Sequence, residues 1–249
     1  MPGRYYYQVT ALPPLGEPGT RPPMSPRDLL EHLRGDPGPR SLVEAVFLSD
    51  DLLQREALLV GEIEEASPTV LTVPQLRDEE PLPEYLGPAE DQQPPRIVSD
   101  ALWVGYYRYV ERLAAARGSR FLHQWVRFEV GLRNALAAAR AKALTLDPDD
   151  YLVVPELGDG PEAFEAVVAE WAAARDPLAG LRVLDRRRWD WIGAHDAWFS
   201  FDQDELAAYA VRVMLLNRWQ RLREGDADRP PSPAAATDDE TMQSRGTRR

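Results

Sequence analysis

The chain contains no cysteine, which excludes disulfides and thiolate metal sites. Histidine is scarce: His32, His123 and His195 are the three present, so a conventional zinc site has few ligands to draw on. Lysine occurs once, at Lys142, in the middle of a helical pattern. No phosphate-binding loop of the G-x-x-x-x-G-K-[ST] form and no G-x-G-x-x-G after a strand is present. The run Gly158-Asp159-Gly160 reads as a turn between helices. No stretch approaches the ~20 uninterrupted apolar residues that span a bilayer. The opening residues lack the apolar run of a secretory signal, so a cytoplasmic location is expected.

Apolar residues make up 44% of the 249, with seven Trp, nine Tyr and six Phe. That supply is enough for a sizeable core. The formal charge is −12, from 41 acidic and 29 basic residues. Nucleic-acid binding draws on positive charge to release counterions and is therefore disfavoured.

The pattern predicts an all-α, multi-helix bundle with a short extended N-terminal arm. Tyr5 to Leu12 is β-prone but runs into Pro13 and Pro14, which suits an arm laid across helices. Ser25, Pro26 and Asp28 open a first helix that Gly35 and Pro37 stop. Two short helices are expected at about 41–48 and 50–59. Residues 1–66 form this arm and these short helices. Residues 67–97 read as a proline-rich connector, 98–224 as the main helical bundle, and 225–249 as a disordered tail.

In the main bundle, Ser99 and Ser119 cap helices over about 99–118 and 120–144. Phe121, Trp125, Phe128 and Leu132 recur on one face of the second. Further helices are expected over 161–175, 177–191 with Gly193 as the stop, and 200–224. Tyr6, Trp125, Phe128, Asn134, Trp191, Tyr209 and Trp219 are the expected structural core.

Catalytic, cofactor and metal residues are not assigned. His195-Asp196 with Asp190 could form an acid–base or metal-ligand group. Adjacent helical residues point apart, however, so a helix end is the simpler reading. Arg186, Arg187, Arg188 and Trp189 join cations to an aromatic, a composition enriched at protein contacts. Glu129, Arg133, Asn134 and Arg140 lie beside the apolar stripes of the long helix, where an internal hydrogen-bond network is favoured over a site.

Tyr5-Tyr6-Tyr7-Gln8-Val9-Thr10-Ala11-Leu12-Pro13-Pro14-Leu15 resembles the Tyr-rich, Leu-Pro signature of an uncharacterised bacterial family encoded among V/A-type rotary ATPase subunits. The similarity continues through Phe121, Trp125, Phe128, Leu132, Asn134 and Leu136, then Arg188-Trp189-Asp190-Trp191, Phe199, Phe201, Leu206 and Tyr209, and ends at Arg218-Trp219. The proline-rich 67–95 segment and the tail depart from the pattern. Members are thought to replace the C-type subunit of these ATPases, the counterpart of the d-type subunit of eukaryotes. The resemblance implies a funnel-like helical fold and a non-enzymatic, cofactor-free role coupling the central stalk to the membrane rotor ring. It implies those stalk and ring subunits as partners, and a position peripheral to the inner membrane through the complex. The other reading is a helical adaptor or regulatory protein of another complex. An enzyme using Asp190, His195 and Glu129 ranks behind both.

Overall fold

The computed structural model describes residues 4–87 and 97–227. Among them every regular element is a helix. The expected tail from 228 onward, and residues 88–96 of the connector, lie outside the described residues.

The first element corrects the expected extended arm. Tyr6–Thr10 (α1) is a helical turn, with the Thr10 hydroxyl donating to the Tyr6 carbonyl at 2.8 Å. The helical turn pairs the backbone internally, with the Val9 and Ala11 N–H groups donating to the Tyr5 and Tyr7 carbonyls. Pro26–His32 (α2) begins with a capping box in which Ser25 and Asp28 satisfy each other's backbone N–H groups.

Pro37–Leu59 (α3) replaces the two short helices expected there. Pro37 opens this helix at its first turn, where its missing N–H costs nothing. Ser49, which separates the two expected helices, and Asp50, which opens the second, stay within one helix because both have partners. The Ser49 hydroxyl donates to the Val46 carbonyl, and Asp50 accepts from Gln54, Arg218 and Arg221.

The described part of the connector is fastened to α3. The Asp51 carboxylate accepts the backbone N–H groups of Thr69, Val70 and Leu71 at 2.7–2.8 Å. Arg55 donates to the carbonyls of Gln75 and Leu76 and to Asp78. Thr72 caps Val73–Leu76 (α4), and Leu71, Leu76 and Leu86 are buried.

Val98–Arg117 (α5) ends at Gly118 in the left-handed conformation (φ 65°). Ser119 then caps Arg120–Ala143 (α6) by accepting from the Leu122 N–H. A two-residue link makes these helices antiparallel. At ~1.5 Å per residue, the 24 residues of α6 span about 36 Å. Gly131 lets the 157–164 segment lie against α6, because a Cβ there would come within 2.5 Å of the Phe164 ring.

Glu165–Ala172 (α7) follows a short 3-10 turn. Pro177–His195 (α8) runs through the expected stop at Gly193. The pattern of Gln203–Ala227 (α9) predicts burial on one side. Instead nearly every residue from Glu205 to Leu216 is buried, so α9 is the central helix. It packs most extensively on α3, and one hydrophobic cluster runs from Tyr5 to Leu215. The N-terminal helices and the main bundle therefore share a single core. No helix among the described residues is long and apolar enough to cross a membrane.

Candidate functional site

The charged residues on the helix interiors pair with one another. Arg188 donates to both Glu129 oxygens at 2.8 and 3.1 Å and to Asp185 at 2.9 Å. Burial opposes its charge, but Glu129 and Asp185 more than offset this and raise its pKa. Arg133 donates to Asp100 at 2.8 Å and lies over the Trp103 ring. Asn134 both donates to the Val153 carbonyl and accepts its N–H, each at 2.9 Å. Glu129, Arg133 and Asn134 thus each have an internal partner, in three separate contacts and not in one connected network. Arg140 stands apart, exposed and over the Trp171 ring.

His195 and Asp196 diverge. His195 stacks on Trp191 and its Nδ1 donates to the Trp191 carbonyl at 2.8 Å. Asp196 turns inward to an ion pair with Arg212, whose guanidinium lies over the Trp189 and Trp198 rings. Burial raises the Asp196 carboxyl despite that pair. Asp190 is exposed elsewhere. Among the described residues no group of three or more acidic or histidine side chains could hold a metal ion.

The expected contact run Arg186 to Trp189 is divided by the helix. Arg186 is exposed and pairs loosely with Glu170, and Arg187 lies over the Phe128 ring. Arg188 is sequestered by two carboxylates, and Trp189 packs against the core. Arg188 is therefore not a contact residue, because α8 turns it toward α6. Of the expected core, Trp125, Phe128, Trp191 and Trp219 are buried, and Tyr209 is half-buried with its hydroxyl donating to the Pro13 carbonyl. Tyr6 is half exposed and belongs to the surface.

Among the described residues, exposed apolar side chains gather at opposite ends of the α5–α6 hairpin. At the end carrying Ile97 and Leu144, a cavity of about 880 Å³ opens between α3, α5, α6 and α9. Its mouth is ringed by the exposed side chains of Leu53, Leu59, Val60, Ile97, Leu144 and Leu146. Trp103, Tyr107 and Trp125 line it deeper in.

At the other end, Asp204 of α9 accepts from the Ser119 hydroxyl and from the N–H groups of Arg120 and Phe121. The loop just before it presents Trp198 at 60% and Phe199 at 78% exposure, and α1 adds Tyr6 at 50% and Tyr7 at 83%. The Tyr6 and Phe201 rings lie 4.9 Å apart. Phe199 and Phe201 both have left-handed backbone, φ 63° and 52°. Such φ values cost a non-glycine residue on the order of 1–3 kcal/mol. Glu205 holds them there by accepting both their N–H groups, and Phe201 accepts from the Tyr5 N–H.

Sequence reading misses both surfaces as surfaces. Loop aromatics carry no periodicity, and the cavity mouth joins the end of α3 to residues that flank the start of α5 and the end of α6. The cluster 198–201, three aromatics in four residues outside any helical stripe, is the available signal. Compared with known proteins, the chain matches no family model, no curated protein sequence and no solved structure.

Proposed function

We propose that this chain is a non-catalytic coupling subunit of a bacterial V/A-type rotary ATPase or ATP synthase, bridging the central stalk and the membrane rotor ring from the cytoplasmic side. One observation carries the reading: two exposed apolar surfaces stand at opposite ends of a stiff helical body, separated by about the 36 Å length of α6. A connector transmitting torque uses that arrangement. Its helices resist bending, and each end offers apolar area to a different partner.

The aromatic end exposes on the order of 500 Å² over four side chains, the size of the largest apolar patches on monomers and often functional. The other end offers its aliphatic rim of Leu53, Leu59, Val60, Ile97, Leu144 and Leu146 to a second partner. The identity of the partners rests on the resemblance in the Tyr5–Leu15, α6 and α8–α9 motifs.

The test is a tagged pull-down from native membranes, followed by ATP-driven ion pumping in vesicles from a deletion strain. Co-purification of stalk and ring subunits at fixed stoichiometry is expected, with pumping lost while the detached heads still hydrolyse ATP. Wild-type pumping in the deletion strain, with the other subunits at normal levels, would overturn the reading. Capture of a different complex would make the chain a helical adaptor, for which the same aromatic loop would serve.

A further inference from the structure

Below its aliphatic rim, the cavity between α3, α5, α6 and α9 has a floor whose polar groups are unevenly satisfied. The Trp103 indole N–H donates to Glu56 at 2.7 Å, and the Tyr106 hydroxyl donates to the Ala45 carbonyl at 3.0 Å. Two neighbours differ. The Tyr107 hydroxyl and the Trp125 indole N–H have no hydrogen-bond partner among the described residues, although the side chains are only 4% and 3% exposed and both line the cavity. Neither atom is sealed from the cavity space. Buried donors normally have partners, and ones left open toward a cavity suit a ligand acceptor.

The charged groups around them are occupied. Arg188 is taken by Glu129 and Asp185, Arg133 by Asp100, and Arg218 by Asp50. The lining residues balance, with Glu56, Glu62, Asp100 and Glu129 against Arg133, Arg140, Arg188 and Arg218. Glu62 and Arg140 are the unpaired lining charges and both are exposed at the surface, so a charged ligand head carried down to Tyr107 and Trp125 would have to break a buried pair. The remaining lining is hydrocarbon and aromatic, and about 880 Å³ lies within the range of small-molecule sites. Burial raises the Tyr107 pKa, so the phenol remains a donor throughout the neutral range.

We infer that this cavity binds an uncharged amphiphile, its hydrocarbon body against Val126, Leu136 and Ala137 and its carbonyl, ether or hydroxyl oxygens accepting from the Tyr107 hydroxyl and the Trp125 indole N–H. This does not rest on the coupling role. It is tested on the isolated chain, where no ATPase subunit is present.

The experiment titrates purified full-length protein with Prodan, an uncharged naphthyl ketone whose emission shifts to the blue in apolar surroundings. Saturable one-to-one binding is expected, displaced by a long-chain methyl ketone and not by a fatty acid or alkylammonium of equal length. Tyr107→Phe removes a single oxygen without a protein partner. It should weaken binding about five-fold, the worth of one neutral hydrogen bond, with an unchanged melting temperature. Ala137→Trp should place an indole where the hydrocarbon body lies and weaken binding, whereas Arg175→Gln, 84% exposed and outside the lining, should leave it intact. Absence of saturable binding would overturn the inference. So would binding indifferent to Tyr107→Phe, or displacement by the charged chains as readily as by the ketone. If Ala137→Trp does not fold, the Tyr107→Phe ratio decides alone.

Discussion

Arg188 and Glu129 meet across the α6–α8 interface in two parallel hydrogen bonds, Nε to Oε1 at 2.8 Å and Nη2 to Oε2 at 3.1 Å. Both side chains are less than a fifth exposed. The pair brings together charges 59 residues apart in sequence, and Asp185 supplies the second acceptor. A paired buried guanidinium is tolerated, while an unpaired one is costly.

Glu129→Ala should therefore destabilise the fold by about 3 kcal/mol, with Asp185 left to hold Arg188 alone. The double variant Glu129→Leu, Arg188→Met should cost less than the single one, because no charge is stranded. Urea denaturation of both variants measures the difference. A single variant milder than the double would show that the pair is solvated.

Trp125→Ala should cost about 3–5 kcal/mol. Trp125 is buried and lies against Phe121, Phe128 and Trp191, with ring centroids 5.4–6.5 Å away. These contacts join α6 to α8. A loss below about 1 kcal/mol in thermal or chemical unfolding would mean the cavity beside Trp125 absorbs the truncation.

The helices and most of this aromatic core are legible because their causes are local. Ser25 and Ser119 announce helix starts within four residues, and Phe121, Trp125 and Phe128 repeat at helical spacing. What escapes sequence reading depends on distant partners. Ser49-Asp50 looks like a break because Arg218, 168 residues away, is what makes Asp50 welcome inside a helix. Arg188 looks like a contact residue because nothing beside it shows that Glu129 faces it. Tyr6 looks like core by composition, yet α1 leaves it on the aromatic surface.

Asp51 should give the protein a pH dependence of its own. Burial pushes its carboxyl up to about 6, outweighing the backbone N–H groups of Leu71, Thr69 and Val70 that favour the charged form. In the unfolded chain an aspartate titrates near ~3.9. The native state thus holds the proton more tightly, so this group's stabilisation is present in full below the unfolded value and is lost as pH rises through the folded one. Wild-type stability relative to Asp51→Asn should fall by on the order of 2–3 kcal/mol between about pH 4 and pH 7. A difference that stays constant across that range would mean Asp51 titrates as an ordinary carboxylate.

Phe199→Gly should stabilise the isolated protein while weakening its attachment to partners. Phe199 is 78% exposed, so little buried area is lost with its ring. Its backbone sits at φ 63°, a conformation that glycine adopts without steric penalty. Its N–H bond to Glu205 at 3.2 Å survives the substitution, because it belongs to the main chain. Relief of strain offset by glycine's greater entropy in the unfolded state leaves a gain of about 1 kcal/mol. For a chain of this size that is roughly a 2–4 °C rise in melting temperature. The same change removes the centre of the Tyr6, Tyr7, Trp198 and Phe199 surface. Retention on the native complex during pull-down should drop by ten-fold or so, the effect of losing one aromatic anchor of ~1.4 kcal/mol. A variant that is both more stable and fully retained would show that the aromatic loop is not a docking surface. A less stable one would show that the exposed ring supports the loop, and that the left-handed backbone stores no strain.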